Sequence, residues 1–311
     1  MSHSKHPWYK PRGYLHFDNP IGLKKSERFA TNPSYVAKHA FFPLISYNLN
    51  SVKIFKNSAG KIEKKCKSRP ISYAAHMDSQ IYSYYANILS EIYEEKLRSH
   101  DISDSVIAFR KLGNGKSNVD FANDAFEEIK RKKQCSVVAL DISGFFDNLD
   151  HSILKIAWGE MLNESRIPND HFNVYSSLTR YSSVEKEELY KALSISKKNP
   201  KKGRSRVCSA KEFRDVVRKS KLINTNKDTK GIPQGTPISA LLSNIYMFKF
   251  DLKMTSIVKD IGGNYFRYCD DMLFIVPTDT RDVIEGIAIE ETGIQIISAT
   301  LMDERRELAN C

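Results

Sequence analysis

The sequence predicts an α+β fold, and three stretches carry that prediction. Asn264 to Tyr268 and Met272 to Val276 are aromatic and β-branched, which is strand composition, and the break between them falls at Cys269-Asp270-Asp271. Ser136-Val137-Val138-Ala139-Leu140 is a short continuous apolar run, the pattern of a strand covered on both faces, and it ends at Asp141. Met77, Ile81, Tyr84, Tyr85, Ile88, Leu89 and Ile92 recur at helical spacing, which assigns these tyrosines to packing.

The chain has 311 residues, enough for one large or two interleaved domains with a sizeable core. Its 48 Lys and Arg against 37 Asp and Glu give a net charge of +11, which favours a polyanionic partner, nucleic acid first. The five cysteines, Cys66, Cys135, Cys208, Cys269 and Cys311, are widely spaced, which argues for a reducing cytosol and against a structural zinc. No apolar run approaches the roughly 20 residues of a membrane span, and Met1 to His16 lacks a signal-peptide core, so a cytoplasmic protein without membrane contact is expected.

In chain order, Pro7 to Pro20 mixes aromatics, proline and basic residues without periodicity, fit either to strap across the core or to stack on nucleotides. Lys53 to Ile71 reads as a basic hairpin turning at Asn57-Ser58-Ala59-Gly60. Val106 to Lys111 leads through Gly113-Asn114-Gly115-Lys116-Ser117 into a helical pattern from Phe121 to Ile129. That pattern is closed by Lys130 to Lys133, where cations suit the helix dipole. Asp147 and Asp150 suit solvent or a helix cap. In Lys197 to Arg206 six of ten residues are basic and none acidic; such a run is either a solvated, mobile loop or a contact for a phosphate backbone. Gly231-Ile232-Pro233-Gln234-Gly235-Thr236-Pro237 is a tight loop feeding a helix start, with Pro237 in the first turn.

Adjacent Asp270 and Asp271 beside buried strands repel one another unless a cation neutralises them, although a plain surface turn would also carry two aspartates. Asp141 adds a third carboxylate on a neighbouring strand. Oxygen-only sites of this kind suit Mg²⁺, and two such ions about 3.5–4 Å apart activate a hydroxyl and stabilise leaving pyrophosphate.

Asp141-Ile142-Ser143-Gly144-Phe145-Phe146-Asp147, then Pro233-Gln234-Gly235 through Asn244-Ile245-Tyr246, then Tyr268-Cys269-Asp270-Asp271 resemble, in this order, the three core motifs of reverse transcriptases. The nearest likeness is to the bacterial group II intron, retron and defence-associated enzymes. The resemblance implies a right-hand polymerase with an antiparallel palm sheet backed by helices. It divides the chain into an N-terminal extension (1–50), fingers (51–135), a first palm part (136–158), a fingers return with the basic loop (159–222) and a second palm part (223–311). It implies two Mg²⁺ ions on Asp141, Asp270 and Asp271, with the Ile142 carbonyl as a further contact. Lys67 and Arg69 then meet the incoming triphosphate, Arg110 lies near template and nucleotide, and Gln234 and Phe146 shape the nucleotide pocket.

By the same resemblance Phe146 packs against the sugar and leaves no room for a 2′-hydroxyl, which favours deoxynucleotides. The implied activity is RNA-directed DNA polymerisation, with an RNA template (a dedicated non-coding RNA), a DNA primer or product and deoxynucleotide triphosphates as partners, and a role in antiphage defence. A template-independent, protein-primed DNA polymerase, an RNA-templated RNA polymerase and a non-catalytic RNA-binding scaffold are the alternatives. Past Val276 only 35 residues remain. Neither the family's Lys-bearing strand nor a helical thumb is expected there, so the thumb reads as absent or truncated.

Overall fold

The computed structural model describes residues 6–57, 60–110 and 116–292 and the backbone of 296–300. In chain order the elements are α1 (Leu23–Ala30), α2 (Pro33–Val36), β1 (Leu44–Lys56), β2 (Ile62–Tyr73), α3 (His76–Ser99), α4 (Asn118–Lys132), β3 (Ser136–Ile142), α5 (Phe145–Asn148) and α6 (His151–Met161). Then follow α7 (Asn169–Thr179), β4 (Ser182–Glu185), α8 (Lys186–Ala192), α9 (Ala210–Glu212), β5 (Asn224–Thr225), α10 (Ser239–Asp260), β6 (Asn264–Tyr268), β7 (Asp271–Val276), α11 (Arg281–Thr292) and β8 (Ile296–Thr300). The α+β expectation is met. Two units share the chain, one made of residues 1–88 and 166–239, the other of 89–165 and 240–311.

In the first unit the sheet order is β2-β1-β4-β5. β1 and β2 form the expected hairpin, longer than its basic segment, in register from Ile45↔Tyr73 to Lys56↔Ile62. Ser58 and Ala59 of its turn lie outside the described residues. β4 meets β1 only at Leu44 to Ser46, so the hairpin extends past its sheet with that edge open. Its register sorts the side chains, because directly opposed residues share a face. Lys53↔Lys65, Ser51↔Lys67 and Leu49↔Arg69 lie on one face; Val52↔Cys66, Ile54↔Lys64 and Lys56↔Ile62 lie on the other.

The core of this unit gathers Leu15, Phe17, Ile45, Val184, Leu189, Val207 and Val217. The N-terminal segment is a strap, as the packing alternative has it. Asp18 caps α3 by accepting the His76 and Met77 N–H groups (2.8 and 2.9 Å), and Trp8 packs edge-on against Tyr84. The two tyrosines assigned to packing do pack, Tyr85 buried and Tyr84 half-buried against Trp8. The basic run is not a loose loop, because the Val207 N–H donates to the His16 carbonyl (2.7 Å) and Ser205 bonds to Asn19 (2.8 Å).

The second unit holds an antiparallel sheet of order β6-β7-β3-β8. β3 departs from the expected strand covered on both faces: Val138, Leu140 and Ile142 are buried while Val137, Ala139 and Asp141 are half-buried. The reason is antiparallel pairing with one face on the core, joined by Tyr265, Met272 and Phe274. The other face, with Ala139, Phe266 and Leu273, borders a cleft of about 300 Å³ lined also by Phe121, Ala122 and Ala125 of α4. The cations closing α4 serve structure as expected, with Lys130 paired to Glu127 (2.7 Å) and Arg131 to Glu128. β8 supplies a further strand beside β3, and residues 301–311, on which the thumb expectation falls, lie outside the described residues. Among the described residues no helix is long and apolar enough to cross a membrane, and Cys66, Cys135, Cys208 and Cys269 are free thiols.

His16 makes the first unit sensitive to acid. Its Nδ1 accepts the Phe17 N–H (2.9 Å) and its Nε2–H faces the Tyr73 carbonyl (3.1 Å), so the neutral ring uses both nitrogens. Burial pushes its pKa down to about 3. The folded state therefore favours the neutral ring, a contribution present above the unfolded value near 6.5 and lost as pH falls through the window towards 3. The melting temperature should drop across that window, by an equivalent of about 5 kcal/mol at most from this group. His16→Gln, less stable at neutral pH, should show a shallower acid dependence in thermal melts at stepped pH; equal slopes would remove His16 as the cause.

Candidate active site

The three aspartates belong to one strand-end arrangement in the second unit. Asp141 is the penultimate residue of β3 and stands directly opposite Asp271, the first residue of β7. Tyr268 pairs with Asp271 on the other side, so Cys269 and Asp270 form a two-residue turn. Cys269 has φ +62°, a left-handed conformation that an L residue adopts only under constraint. Both carbonyls of the turn are tied: Cys269 O accepts from Arg267 Nη1 (2.8 Å) and Asp270 O from the Ile142 N–H (3.2 Å).

Arg267, absent from the residues singled out by sequence, organises this turn. It is fully buried and forms a bidentate pair with Asp251 of α10 (Nε–Oδ1 2.7 Å, Nη2–Oδ2 2.6 Å). Nη1 also donates to Asn244 Oδ1 (3.1 Å), while Asn244 Nδ2 donates to the Ala108 carbonyl (2.9 Å) and Tyr265 OH to Asp251 (2.8 Å). Burial works against the charge on Arg267, and Asp251 overrides it, holding the guanidinium pKa above its usual value. The only sequence signal was an arginine alternating with core residues in a strand, which the strand pattern alone does not explain.

The Cys269 thiol is pushed up to about 12, first by burial and then by the Asp270 carboxylate, to which it donates. At neutral pH it is a protonated neighbour of the carboxylate and no nucleophile.

Phe146 is half-buried on α5 while its neighbour Phe145 faces the core, and Gly144 before them has φ +57°. Asp150 caps α6, accepting the Ser152 and Ile153 N–H groups (2.8 and 3.1 Å), and these bonds, the Ser152 side chain first, lower its pKa; Asp147 is exposed.

Arg110 is tied down within its own unit. Its guanidinium is bidentate to Glu94 (3.0 and 2.7 Å) and also donates to the Val106 (2.6 Å) and Ser103 carbonyls, so four of its five donor hydrogens are used inside the unit. It anchors the segment and offers little to a nucleotide. The exposed member of the pair is Phe109, at φ +57°, with its ring 6.5 Å from that of Tyr268. The following Gly113-Asn114-Gly115 lie outside the described residues.

Lys67, Arg69 and Gln234 belong to the first unit. Lys67 and Arg69 point to the same face of β2, together with the opposed Lys53 and Lys65. The Gln234 carbonyl accepts the Ser72 N–H (2.8 Å), which docks its loop on the end of β2. Gly235 has φ +106°, and a Cβ there would meet Ile71 and the Ser72 carbonyl at 2.8 Å, so only glycine allows that approach. α10 begins at Ser239, later than the Pro237 start expected, because the Thr236 and Ser239 hydroxyls bond each other (2.6 Å) and Ser239 closes on the Pro233 carbonyl (2.6 Å).

The aspartates suit Mg²⁺ in donor chemistry: hard oxygens only, with two like charges opposed across one strand pair, a placement that costs stability without a cation. Among the described residues no three carboxylate, imidazole or thiol groups already converge as a metal cage.

Arg267→Met, which leaves Asp251 buried and unpaired, should cost about 3–5 kcal/mol in denaturant unfolding. Adding Asp251→Leu should recover much of that loss, and a double variant no better than the single one would deny the pair its place.

The family model described as reverse transcriptase (RNA-dependent DNA polymerase) matches residues 56–305. The retron Mx162 reverse transcriptase of Myxococcus xanthus is 34% identical over 56 residues, which are 18% of this chain and 12% of that protein. Among solved structures, apo telomerase from Candida tropicalis is 13% identical with a TM-score of 0.47, covering 90% of this chain and 49% of that one. The Sicinivirus 3Dpol RNA-dependent RNA polymerase is 12% identical with a TM-score of 0.48, covering 92% and 51%. The chain therefore spans a small part of the curated relative and about half of each of these structures.

Proposed function

The chain belongs to the reverse transcriptase family, and we propose that it is an RNA-directed DNA polymerase that extends a DNA primer with deoxynucleotides on an RNA template. The observation that carries this reading is the register Asp141↔Asp271 beside Asp270, on a turn whose two carbonyls are both tied.

Asp141, Asp270 and Asp271, with the Ile142 carbonyl, would hold two Mg²⁺ ions. Bound there, such ions acidify a primer 3′-hydroxyl and neutralise charge on departing pyrophosphate. The chain's own part is positioning. The Arg267 clamp fixes the turn that carries Asp270, so its carboxylate need not reorganise when substrate arrives. Phe146, the outward ring of its pair, stands against the sugar and excludes a 2′-hydroxyl. Lys67 and Arg69, on one face of β2, neutralise the incoming triphosphate, and Gln234, backbone-anchored at Ser72, contacts the nucleotide. Arg110 is left out of this set because its donors are spent on Glu94 and backbone.

The division into fingers and palm, a dedicated non-coding RNA as template, a role in antiphage defence and a cytoplasmic setting belong to the same proposal. Their support is the resemblance to bacterial, especially defence-associated, reverse transcriptases.

With Mg²⁺, a primed RNA template and labelled deoxynucleotides, Asp270→Asn should lower incorporation by at least about a hundredfold. Retention of activity by that variant would sink the proposal. Phe146→Val should admit ribonucleotides, raising their incorporation relative to deoxynucleotides by about tenfold or more; an unchanged ratio would take the sugar discrimination away from Phe146.

A further inference from the structure

Three segments that this function leaves without a role meet within the first unit. Tyr14 comes from the N-terminal strap, Tyr47 from the base of the hairpin, and Lys197 to Lys201 from the basic run. With Lys186 and Tyr190 of α8 they line two adjoining clefts of about 430 and 470 Å³, which share Tyr47, Lys186, Tyr190 and Pro200.

The aromatic walls are fixed in place. Tyr14 stacks on His76 (5.1 Å, 17°), meets Tyr73 edge-on (4.8 Å) and donates its hydroxyl to the Ala74 carbonyl (2.9 Å). Tyr47 also meets Tyr73 edge-on (6.2 Å), and the Tyr73 hydroxyl is bonded to that of Tyr190. Rings held this way lose little freedom when a flat ligand arrives.

The charge in the clefts is unevenly spent. Glu187 is paired with Lys197 (2.7 Å), and the Glu185 carboxylate caps α8 by accepting the Glu188 N–H (2.8 Å). Lys186 makes no direct salt bridge among the described residues, though its charge is felt by the Glu187 carboxylate; its ammonium lies 5.2 Å from the Tyr47 ring centre and 5.7 Å from that of Tyr190. Lys201 is exposed, and its ammonium comes so near the strap that a Cβ at Gly13 would lie 3.9 Å from it. Two cations among tyrosine faces are what an unpaired nucleotide requires: an aromatic base to stack and a phosphate to neutralise. A duplex presents no base faces and would leave the rings unused.

We propose that these clefts hold an unpaired nucleotide of a single-stranded RNA, its base against the tyrosines and its phosphate at Lys186 and Lys201. This rests on the reading of the chain as one that handles RNA.

The test is fluorescence anisotropy with the full chain and a short labelled single-stranded RNA of mixed sequence, without deoxynucleotides, over a salt series. Tyr47→Ala should weaken binding roughly five- to 150-fold. Lys186→Gln should weaken it too and flatten the plot of log affinity against log salt by about 0.7. Circular dichroism melts check that both variants keep the fold. Folded variants that bind RNA like the parent would overturn this inference alone. A parent chain that binds no RNA would overturn it together with the proposed function. Titration with AMP separates the sources: AMP binding as tight as that of the oligonucleotide, and equally sensitive to both variants, would make the clefts a free-nucleotide site and overturn the strand assignment.

Discussion

The buried pair between Arg267 and Asp251 is the interaction on which the second unit depends. Removing two charges from water costs several kcal/mol per ion, and the pair offsets this only because nearly every donor and acceptor is used. Those uses connect α10 to β6, to the turn at Cys269, and through Asn244 to the segment before Phe109. An apolar core would pack as well, but it would not fix the rotation of the turn. The polar network converts general burial into one defined placement of Asp270.

What the sequence made legible was whatever has a local cause. Strand composition around Tyr268–Asp271, helical spacing in α3 and the ordered motifs from Asp141 to Asp271 are all visible in short windows, and the elements stand where they were expected. Non-local partners were not visible. A Phe-Arg pair says nothing about which member turns inward; Arg110 does so because of Glu94 on α3, sixteen residues earlier. Arg267 went unnoticed for the same reason, since its partner is on another element. The strand covered on both faces became a half-open one because five residues of apolar composition do not report whether a neighbour such as α4 packs tightly.

The strap and the basic run illustrate a second limit. Each had two readings, and the structure realises packing for the strap while bonding the run onto it at Val207 and Ser205. Once docked, they present Tyr14 and Lys201 to a common space, a juxtaposition that neither composition nor spacing encodes.

The hairpin's two faces have a further consequence. Past Ser46 both of its edges lack a strand partner among the described residues, and one face exposes Val52, Ile54 and Ile62. A long ribbon with open edges and surface apolar side chains is a template for pairing with another copy of itself. The lysines along it, including the mutually repelling Lys53 and Lys65, oppose such pairing, so they act as gatekeepers of the free protein. Stripping charge from this ribbon therefore changes self-association and anion affinity together, and binding to the bare ribbon exchanges one form of repulsion for an attractive partner.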